Sequence, residues 1–149
     1  MEHYRILKAS KDRMPEVAIV LRTSFRVTYP NFPELHTSEE DREYFTNVVF
    51  EKDEVYIAED SDSGRIVGFI AFNKKFIDHL YLLPEAQRIV LGSQLLEIAK
   101  AQSNHLQLWT FQQNTVARTF YEKRGFHAVR LTDGDNDEKQ PDVLYDWVK

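Results

Sequence analysis

The sequence predicts one α/β domain with a mixed β-sheet, and three features support this prediction. Strand-like and helix-like segments alternate along the chain, a tight hairpin stands near its middle, and a strand, a helix and a strand then follow in order. The 149 residues fit one domain, and the 42% that are hydrophobic suffice for a buried core. We therefore expect residues 1–149 to form a single domain, with about seven strands and four helices in the order βααβββαβαββ.

The first half of the chain contains a strand, two helices and a hairpin. "HYRILKAS" alternates like a strand, and "DRMPEVAIVLRTSFRVTY" is helical, with one face formed by Val17, Val20, Leu21 and Ser24. The prolines of "YPNFPELHTSEED" make a loop, and Thr37 with Glu40 resembles a capping box that opens the helix "SEEDREYFTNVVF". "EVYIAED" and "RIVGFIAFN" then form a hairpin, in which Gly64 takes the positive φ of the turn.

The second half supplies the crossover that places helices on both faces of the sheet. The strand "FIDHLYLL" is followed by the helix "GSQLLEIAKAQS" and the strand "HLQLWTF", and that helix has one face formed by Leu91, Leu95 and Ile98. Asn114 is a good N-cap for the helix "TVARTFYEKR", and Gly125 ends it. Two last strands, "FHAVRLTD" and "DVLYDWVK", flank the acidic loop "TDGDNDEKQPD".

Composition excludes several classes of protein. The absence of cysteine removes disulfides, thiolate zinc sites and cysteine nucleophiles, and the five histidines show no paired metal-ligand spacing. The net charge is −5 and the basic residues are scattered, which argues against a nucleic-acid partner. No segment has the apolar character of a signal peptide or a membrane helix, so we expect a cytoplasmic protein without a membrane partner.

The stretch "LYLLPEAQRIVLGSQLL" predicts a strand, a bend and a helix, and such a bend is suited to a phosphate group. The first backbone amides of the helix lack partners inside the helix, and the helix dipole adds positive charge there. Gly92 alone is a weak signal, so a plain turn between strand and helix is the alternative.

The same stretch resembles a known motif. "HLYLLPEAQRIVLGSQLL" is similar to the acetyl-CoA-binding motif of the GNAT N-acetyltransferase superfamily, in which Gln or Arg, two residues, Gly, one residue and Gly or Ala form the pyrophosphate loop. Gln87 matches the first position and Gly92 the last. "NTVARTFYEKRGF" resembles the next motif of the family at the expected distance, and the likeness is strongest from Phe69 to Phe126. "LWTFQQN" and the C-terminal tail resemble a subgroup of bacterial GNAT proteins.

Two positions of the loop depart from the family pattern. Val90 stands where the internal glycine is expected, and Arg88 where another glycine is common. Valine is strained at a positive φ, so we predict a helical φ at Val90. Arg88 is either a second phosphate ligand, through two parallel hydrogen bonds, or a solvated surface residue.

The resemblance implies acetyl-CoA as cofactor and an acid for the departing thiolate. Backbone amides near Leu82 would polarise the thioester carbonyl, and the phenol of Tyr121 would donate a proton to the sulfur. Tyr121 as a core residue is the structural alternative. Asn114 caps its helix and, as the resemblance implies, also contacts the pantetheine arm or a bound water, and these two roles do not exclude each other. The implied cofactor-binding residues are Leu80, Leu82, Gln87, Arg88, Ile89, Val90, Leu91, Gly92, Ser93, Asn114, Ala117, Phe120 and Tyr121.

The acceptor side offers one candidate base and two candidate segments. His79 has a side chain suited to taking a proton from an amine, although a lone strand histidine is more often structural. Asp78 points to the opposite face of the strand. Family architecture places the acceptor between the loop after the first helix and the acidic loop, which contribute Tyr29, Phe32, Asp133, Asn136 and Asp142.

We therefore predict an acetyl-CoA-dependent N-acetyltransferase that acts on a primary amine of a small molecule or peptide by direct attack in a ternary complex. A longer acyl-CoA as donor is consistent with the same residues. The alternative is a non-catalytic GNAT-fold sensor or interaction module with weakened CoA binding, which Val90 and Arg88 favour. Edge strands of such a fold also offer a surface for a homodimer.

Overall fold

The computed structural model describes residues 3–87 and 90–149, which form seven strands in two antiparallel sheets. The first sheet has the order β1-β2-β3-β4 and the second the order β5-β7-β6. This confirms the α/β class and the predicted order of strands. Their bounds are β1 Tyr4–Lys8, β2 Glu54–Asp60, β3 Ile66–Phe72, β4 Ile77–Leu82, β5 His105–Phe111, β6 His127–Leu131 and β7 Asp142–Val148.

Four helices accompany the strands, as predicted. Helix α1 spans Met14–Thr28. Helix α2 is continuous over three segments, the α-helical Ser38–Tyr44, the π-helical Phe45–Val49 and the α-helical turn Phe50–Lys52. Helix α3 spans Leu91–Ala101 and helix α4 spans Thr115–Glu122. In the described part of the chain, none of these helices is long and apolar enough to cross a membrane.

Strand β3 lies at the centre of the core, and all of its residues are buried. Because side chains alternate along a strand, Phe69 and Ala71 pack in one apolar cluster while Ile70 and Phe72 pack in another. The first cluster contains the buried residues of α1 and α2, and the second contains those of α4 and most of those of α3. The helices therefore cover both faces, as the βαβ order predicts.

The two sheets meet between β4 and β5, and this junction positions the site. Only one parallel bridge joins them within the described residues, from Phe76 to Gln107, with the Gln107 amide donating to the carbonyl of Lys75 at 2.9 Å. The predicted mixed sheet thus has a single parallel contact between β4 and β5, while the other edge of β5 pairs along its full length with β7. Within the described residues no further pairing joins β4 and β5, and we call the unpaired stretch toward their C-terminal ends the gap between them.

Candidate active site

The bend after β4 ends in a helix that begins immediately after Val90. Val90 has a φ of −75° and a ψ of 7°, so the predicted helical φ at this position is confirmed. Its side chain is 59% exposed, and the branched Cβ is therefore accommodated in solvent. The predicted cofactor-binding residues Arg88 and Ile89 lie outside the described residues.

The N-terminus of α3 has no side-chain cap. Val90 occupies the N-cap position and offers no acceptor to the first amides, whereas Thr37 caps α2 and Asn114 caps α4. Within residues 3–87 and 90–149 no side chain accepts from the amides of this first turn, so these amides and the helix dipole are suited to an anion. This is the property that the resemblance to a pyrophosphate loop requires.

Gly92 lies in the first turn of α3 and allows the helix to approach its neighbours closely. A Cβ at this position would lie 3.3 Å from Cε1 of Phe120 and 3.4 Å from Cδ1 of Leu82. The first contact is tighter than ordinary van der Waals contact, and the second lies at its lower limit. Gly92 therefore serves packing between α3, α4 and β4, a role that the sequence reasoning did not assign to it.

Arg124 fastens the same helix end to α4. Its Nε donates to Oγ of Ser93 at 2.9 Å, its guanidinium carbon lies 3.9 Å from the centre of the Phe120 ring, and it donates to the carbonyl of Phe120 at 2.9 Å. Sequence reasoning did not identify Arg124, because Ser93 is 31 residues away from it.

The last residue of β4 is held by two side chains from elsewhere in the chain. Gln87 donates through Nε2 to the carbonyl of Leu82 at 2.9 Å, and Oγ of Ser24 donates to the same carbonyl at 3.0 Å. Gln87 therefore ties the loop to the strand, although the family resemblance implies a contact with the cofactor. Ser24 was expected only on the buried face of α1, where it is 1% exposed.

Tyr121 lies in the apolar wall beside the gap between β4 and β5. The half-buried side chains of Leu80, Leu82, Ala117 and Phe120 pack against the same core cluster. The Tyr121 ring lies 5.2 Å from that of Phe120, and the side chain is 7% exposed. Burial raises the pKa of the Tyr121 phenol above its ordinary value, so the hydroxyl remains protonated at neutral pH.

Asn114 connects the start of α4 to the end of α1. Its Oδ1 accepts a hydrogen bond from the amide of Ala117 at 3.0 Å, which confirms the predicted cap. Its Nδ2 donates to the hydroxyl of Tyr29 at 2.7 Å. Asn114 thereby links the cofactor side of the site to the acceptor side.

His79 faces the acceptor side from β4, in an aromatic environment. Its ring lies 5.1 Å from that of Phe45 and 6.2 Å from that of Tyr81. Burial lowers the pKa of His79 to about 4, so the imidazole is neutral at physiological pH. Asp78 lies on the opposite side of the strand, where it pairs with Lys52 at 3.1 Å. His79 as the base stays a prediction.

A cavity of about 700 Å³ opens between α1, the loop after it, α2, β4 and the loop before β7. We call it the acceptor cavity. Tyr29 and Phe32, both predicted to contact the acceptor, line it together with His79. Its aromatic wall is formed by stacked and edge-to-face rings, with Tyr29 and Phe32 4.6 Å apart. The acidic loop contributes the carboxylates of Asp137 and Glu138 to the lining of this cavity.

The acidic residues predicted to contact the acceptor lie elsewhere. Asp142 accepts hydrogen bonds from the hydroxyl of Thr132 and, at 3.0 Å, from Nδ2 of Asn136. Nδ2 of Asn136 also donates to the carbonyl of Gln140 at 2.7 Å, so these side chains hold the loop together. Asp133 lines neither the acceptor cavity nor a second cavity, which Trp109 and Phe111 line.

Comparison with known proteins identifies the family. Residues 51–128, more than half of the chain, match the family model described as an acetyltransferase (GNAT) domain. The chain belongs to the GNAT acetyltransferase family. The GNAT chain is also 30% identical over 69 residues to the peptidyl-lysine N-acetyltransferase YiaC of Escherichia coli strain K12. This match covers 46% of the chain and 47% of YiaC, so it spans about half the length of this curated relative.

Solved structures share the GNAT fold over nearly the full length. PaiA N-acetyltransferase from Thermoplasma acidophilum, in complex with coenzyme A, gives a TM-score of 0.75 at 22% identity and covers 100% of both chains. The apo form of YjaB from Escherichia coli gives a TM-score of 0.76 at 20% identity and covers 97% of both chains. These likenesses establish the fold.

Proposed function

We propose that this protein is an acetyl-CoA-dependent N-acetyltransferase that acts on a primary amine by direct attack in a ternary complex. The observation that carries the proposal is the uncapped N-terminus of α3, which lies at the end of β4, with the acceptor cavity formed partly by the same strand. In this proposal, one strand would adjoin both the donor site and the acceptor site. Family membership supports the same assignment.

The residues present fit acetyl-CoA. The first-turn amides of α3, which no side chain of the described residues caps, are suited to its pyrophosphate, and the gap between β4 and β5 would receive an extended arm. Leu80, Leu82, Ala117 and Phe120 would form the apolar walls of that slot. The bound cofactor supplies the activated acetyl thioester.

The proton transfers are assigned to two side chains. Tyr121, protonated because its pKa is raised by burial, would donate the proton that the departing thiolate needs. His79, neutral because its pKa is lowered to about 4, would accept the proton of the attacking amine.

The acceptor is proposed to be the side chain of a peptide lysine. Asp137 and Glu138 would attract a cationic amine to the mouth of the acceptor cavity, and the rings of Tyr29 and Phe32 would contact its aliphatic stem. The name of the relative YiaC, a peptidyl-lysine N-acetyltransferase, supports this choice. A small-molecule amine is the competing acceptor.

One observation favours a second candidate, a non-catalytic GNAT module. Gln87, at the first position of the pyrophosphate loop, is bound to the carbonyl of Leu82. If that bond persists in the presence of CoA, the loop has one fewer donor for phosphate.

Two measurements on one pair of proteins test the proposal. The thermal midpoint of the parent should rise with acetyl-CoA and with CoA, because a ligand that binds only the folded state stabilises it, by ~2.7 kcal/mol at a hundredfold excess over Kd. Tyr121→Phe should retain that rise but lose activity on a lysine peptide by about a hundredfold. No rise at millimolar CoA would establish the non-catalytic module instead.

A further inference from the structure

A second cavity of about 500 Å³ lies beside the acceptor cavity, under the loop before β7. Trp109 and Phe111 form its floor on the face of β5 opposite to the buried Leu106 and Leu108. The polar lining residues come from β6, from the loop and from the start of β7, and they include Arg130, Thr132, Asp135, Asn136, Glu138 and Asp142.

The two cavities share a thin wall. Glu138 lines both of them. Phe111 lines the second cavity, and its ring lies 5.2 Å from those of Tyr29 and Phe32, which line the acceptor cavity. One aromatic ring and one carboxylate therefore separate the two spaces, so a ligand that fills the first is adjacent to the second.

The charges of the second cavity favour a cation. Asp135, Glu138 and Asp142 contribute three carboxylates against the single guanidinium of Arg130. Asp142 is hydrogen bonded within the loop, whereas Asp135 and Glu138 form no ion pair within residues 3–87 and 90–149. Trp109 is 43% exposed, and an indole face is the best aromatic partner for a cation.

We propose that the second cavity binds the side chain of a lysine or arginine that lies near the acetylated lysine in an acceptor peptide. This inference rests on the proposed function. Side chains two residues apart on an extended peptide point to the same side and are separated by ~7 Å. This spacing is comparable to the 5.2 Å between the ring of Phe111, which lines the second cavity, and those of Tyr29 and Phe32, which line the acceptor cavity. The basic residue is therefore placed two positions from the acetylated lysine. The enzyme would then select a sequence rather than any accessible lysine.

Matched peptides test the inference. Each peptide carries one acceptor lysine, a blocked N-terminus and, two positions before or after the lysine, an arginine, an alanine or a glutamate. The arginine peptide should be acetylated with a kcat/KM about fivefold above that of the alanine peptide, with the glutamate peptide lowest. Equal values for the three peptides would overturn the inference.

Variants then locate the preference. In Asp135→Lys the order should reverse, with the glutamate peptide preferred, and in Trp109→Ala the ratio between arginine and alanine peptides should fall toward one. Because the readout is a ratio, a general loss of folded protein does not change it. Asp62→Asn, a carboxylate removed from the exposed turn between β2 and β3, is the control and should leave the ratio as in the parent.

Binding measurements separate this inference from the proposed function. Fluorescence anisotropy of the same peptides, labelled at one end, reports the preference even in the absence of acetyl transfer. A preference for arginine in binding, without turnover, would support the subsite and reject acetyl transfer to a peptide lysine. Turnover without any preference would reject the subsite and leave the enzyme in place.

Discussion

The N-termini of α3 and α4 both face the candidate site, and they are built in opposite ways. Helix α4 begins at Asn114, whose side chain accepts from Ala117 and donates to Tyr29. Helix α3 begins at Val90, which offers no side-chain acceptor. A helix end of the first kind is satisfied by the protein itself, and one of the second kind leaves its amides to water or to a ligand.

This difference shows how the chain divides structural and binding roles between similar elements. Helix α2 also has an internal cap, because Thr37 and Glu40 bind reciprocally in a capping box. The sequence thus provides capping residues at two helices that are not expected to hold phosphate. The uncapped end of α3 forgoes roughly 1 kcal/mol of stability in the free protein, which anion binding can return.

The largest effect on the difference between the N-termini of α3 and α4 is expected from Val90→Asp, which gives α3 the side-chain cap that it lacks. The free protein should gain about 1 kcal/mol of unfolding free energy, because a carboxylate satisfies first-turn amides and interacts well with the helix dipole. Affinity for CoA should fall by at least about tenfold, because the same carboxylate occupies the amides and repels phosphate. Chemical denaturation and calorimetric titration with CoA measure the two effects.

The matched control for that prediction is Val90→Ala, which removes the branched side chain without adding an acceptor. Its CoA affinity should stay near that of the parent. If Val90→Asp binds CoA as tightly as Val90→Ala, the first turn of α3 is not the phosphate site.

The next effect is expected from Asn114→Ala, which removes the cap of α4 and the bond to Tyr29. We expect a loss of about 2 kcal/mol in unfolding free energy, from one cap and one further hydrogen bond. Asn114→Asp keeps the acceptor for the Ala117 amide but lacks the donor for Tyr29, so denaturation should show an intermediate loss. Identical losses in both variants would mean that the cap contributes nothing.

A smaller effect is expected from Thr37→Ala, which measures a cap remote from the phosphate site. Unfolding free energy should fall by about 1 kcal/mol through loss of one half of the capping box. CoA affinity, measured by calorimetry, should be unchanged within about twofold, since α2 contributes to the acceptor side alone. A larger change in affinity would show that caps act on CoA binding through stability in general.

The smallest effect on the difference between the N-termini of α3 and α4 is expected from pH, because the group that titrates, Asp53, lies at neither of them. Burial and a hydrogen bond with Asp78 raise the pKa of Asp53 to about 7. The folded protein holds this proton more tightly than the unfolded chain does, so the contribution is complete below about pH 4 and is lost as pH rises through 7. The thermal midpoint should therefore fall between about pH 4 and 7 and level off above that range, and Asp53→Asn should flatten that slope. A parent slope that persists in Asp53→Asn would assign it to another group.

Sequence reasoning succeeded where the partners are close along the chain. The capping box of Thr37 and Glu40, the cap at Asn114 and the positive φ of Gly64 each depend on residues within a few positions, and all three are confirmed. The helical φ of Val90 followed in the same way from the strain of a branched side chain. The strand and helix order followed from hydrophobic periodicity, which is also local.

Sequence reasoning was incomplete where contacts join segments that are distant along the chain. Ser24 reaches the Leu82 carbonyl across 58 residues, and no pattern near either residue indicates that contact. In the acidic loop, which contains positive φ values at Gly134 and Lys139, Asp137 and Glu138 line the acceptor cavity, whereas Asp142 accepts a hydrogen bond from Asn136. Carboxylates that are close together in the sequence therefore have different surroundings in the folded loop.

The sequence by itself determined the α/β class, the order of the elements, the helix caps and the family motifs, because short-range sterics, hydrogen bonds and hydrophobic periodicity act within a few residues. Only the tertiary structure decided that β4 and β5 separate after one parallel bridge, that Gly92 serves packing against Phe120, and that Glu138 stands between two cavities. These features depend on which distant side chains exclude water from one another, and that is settled only when the whole chain is packed.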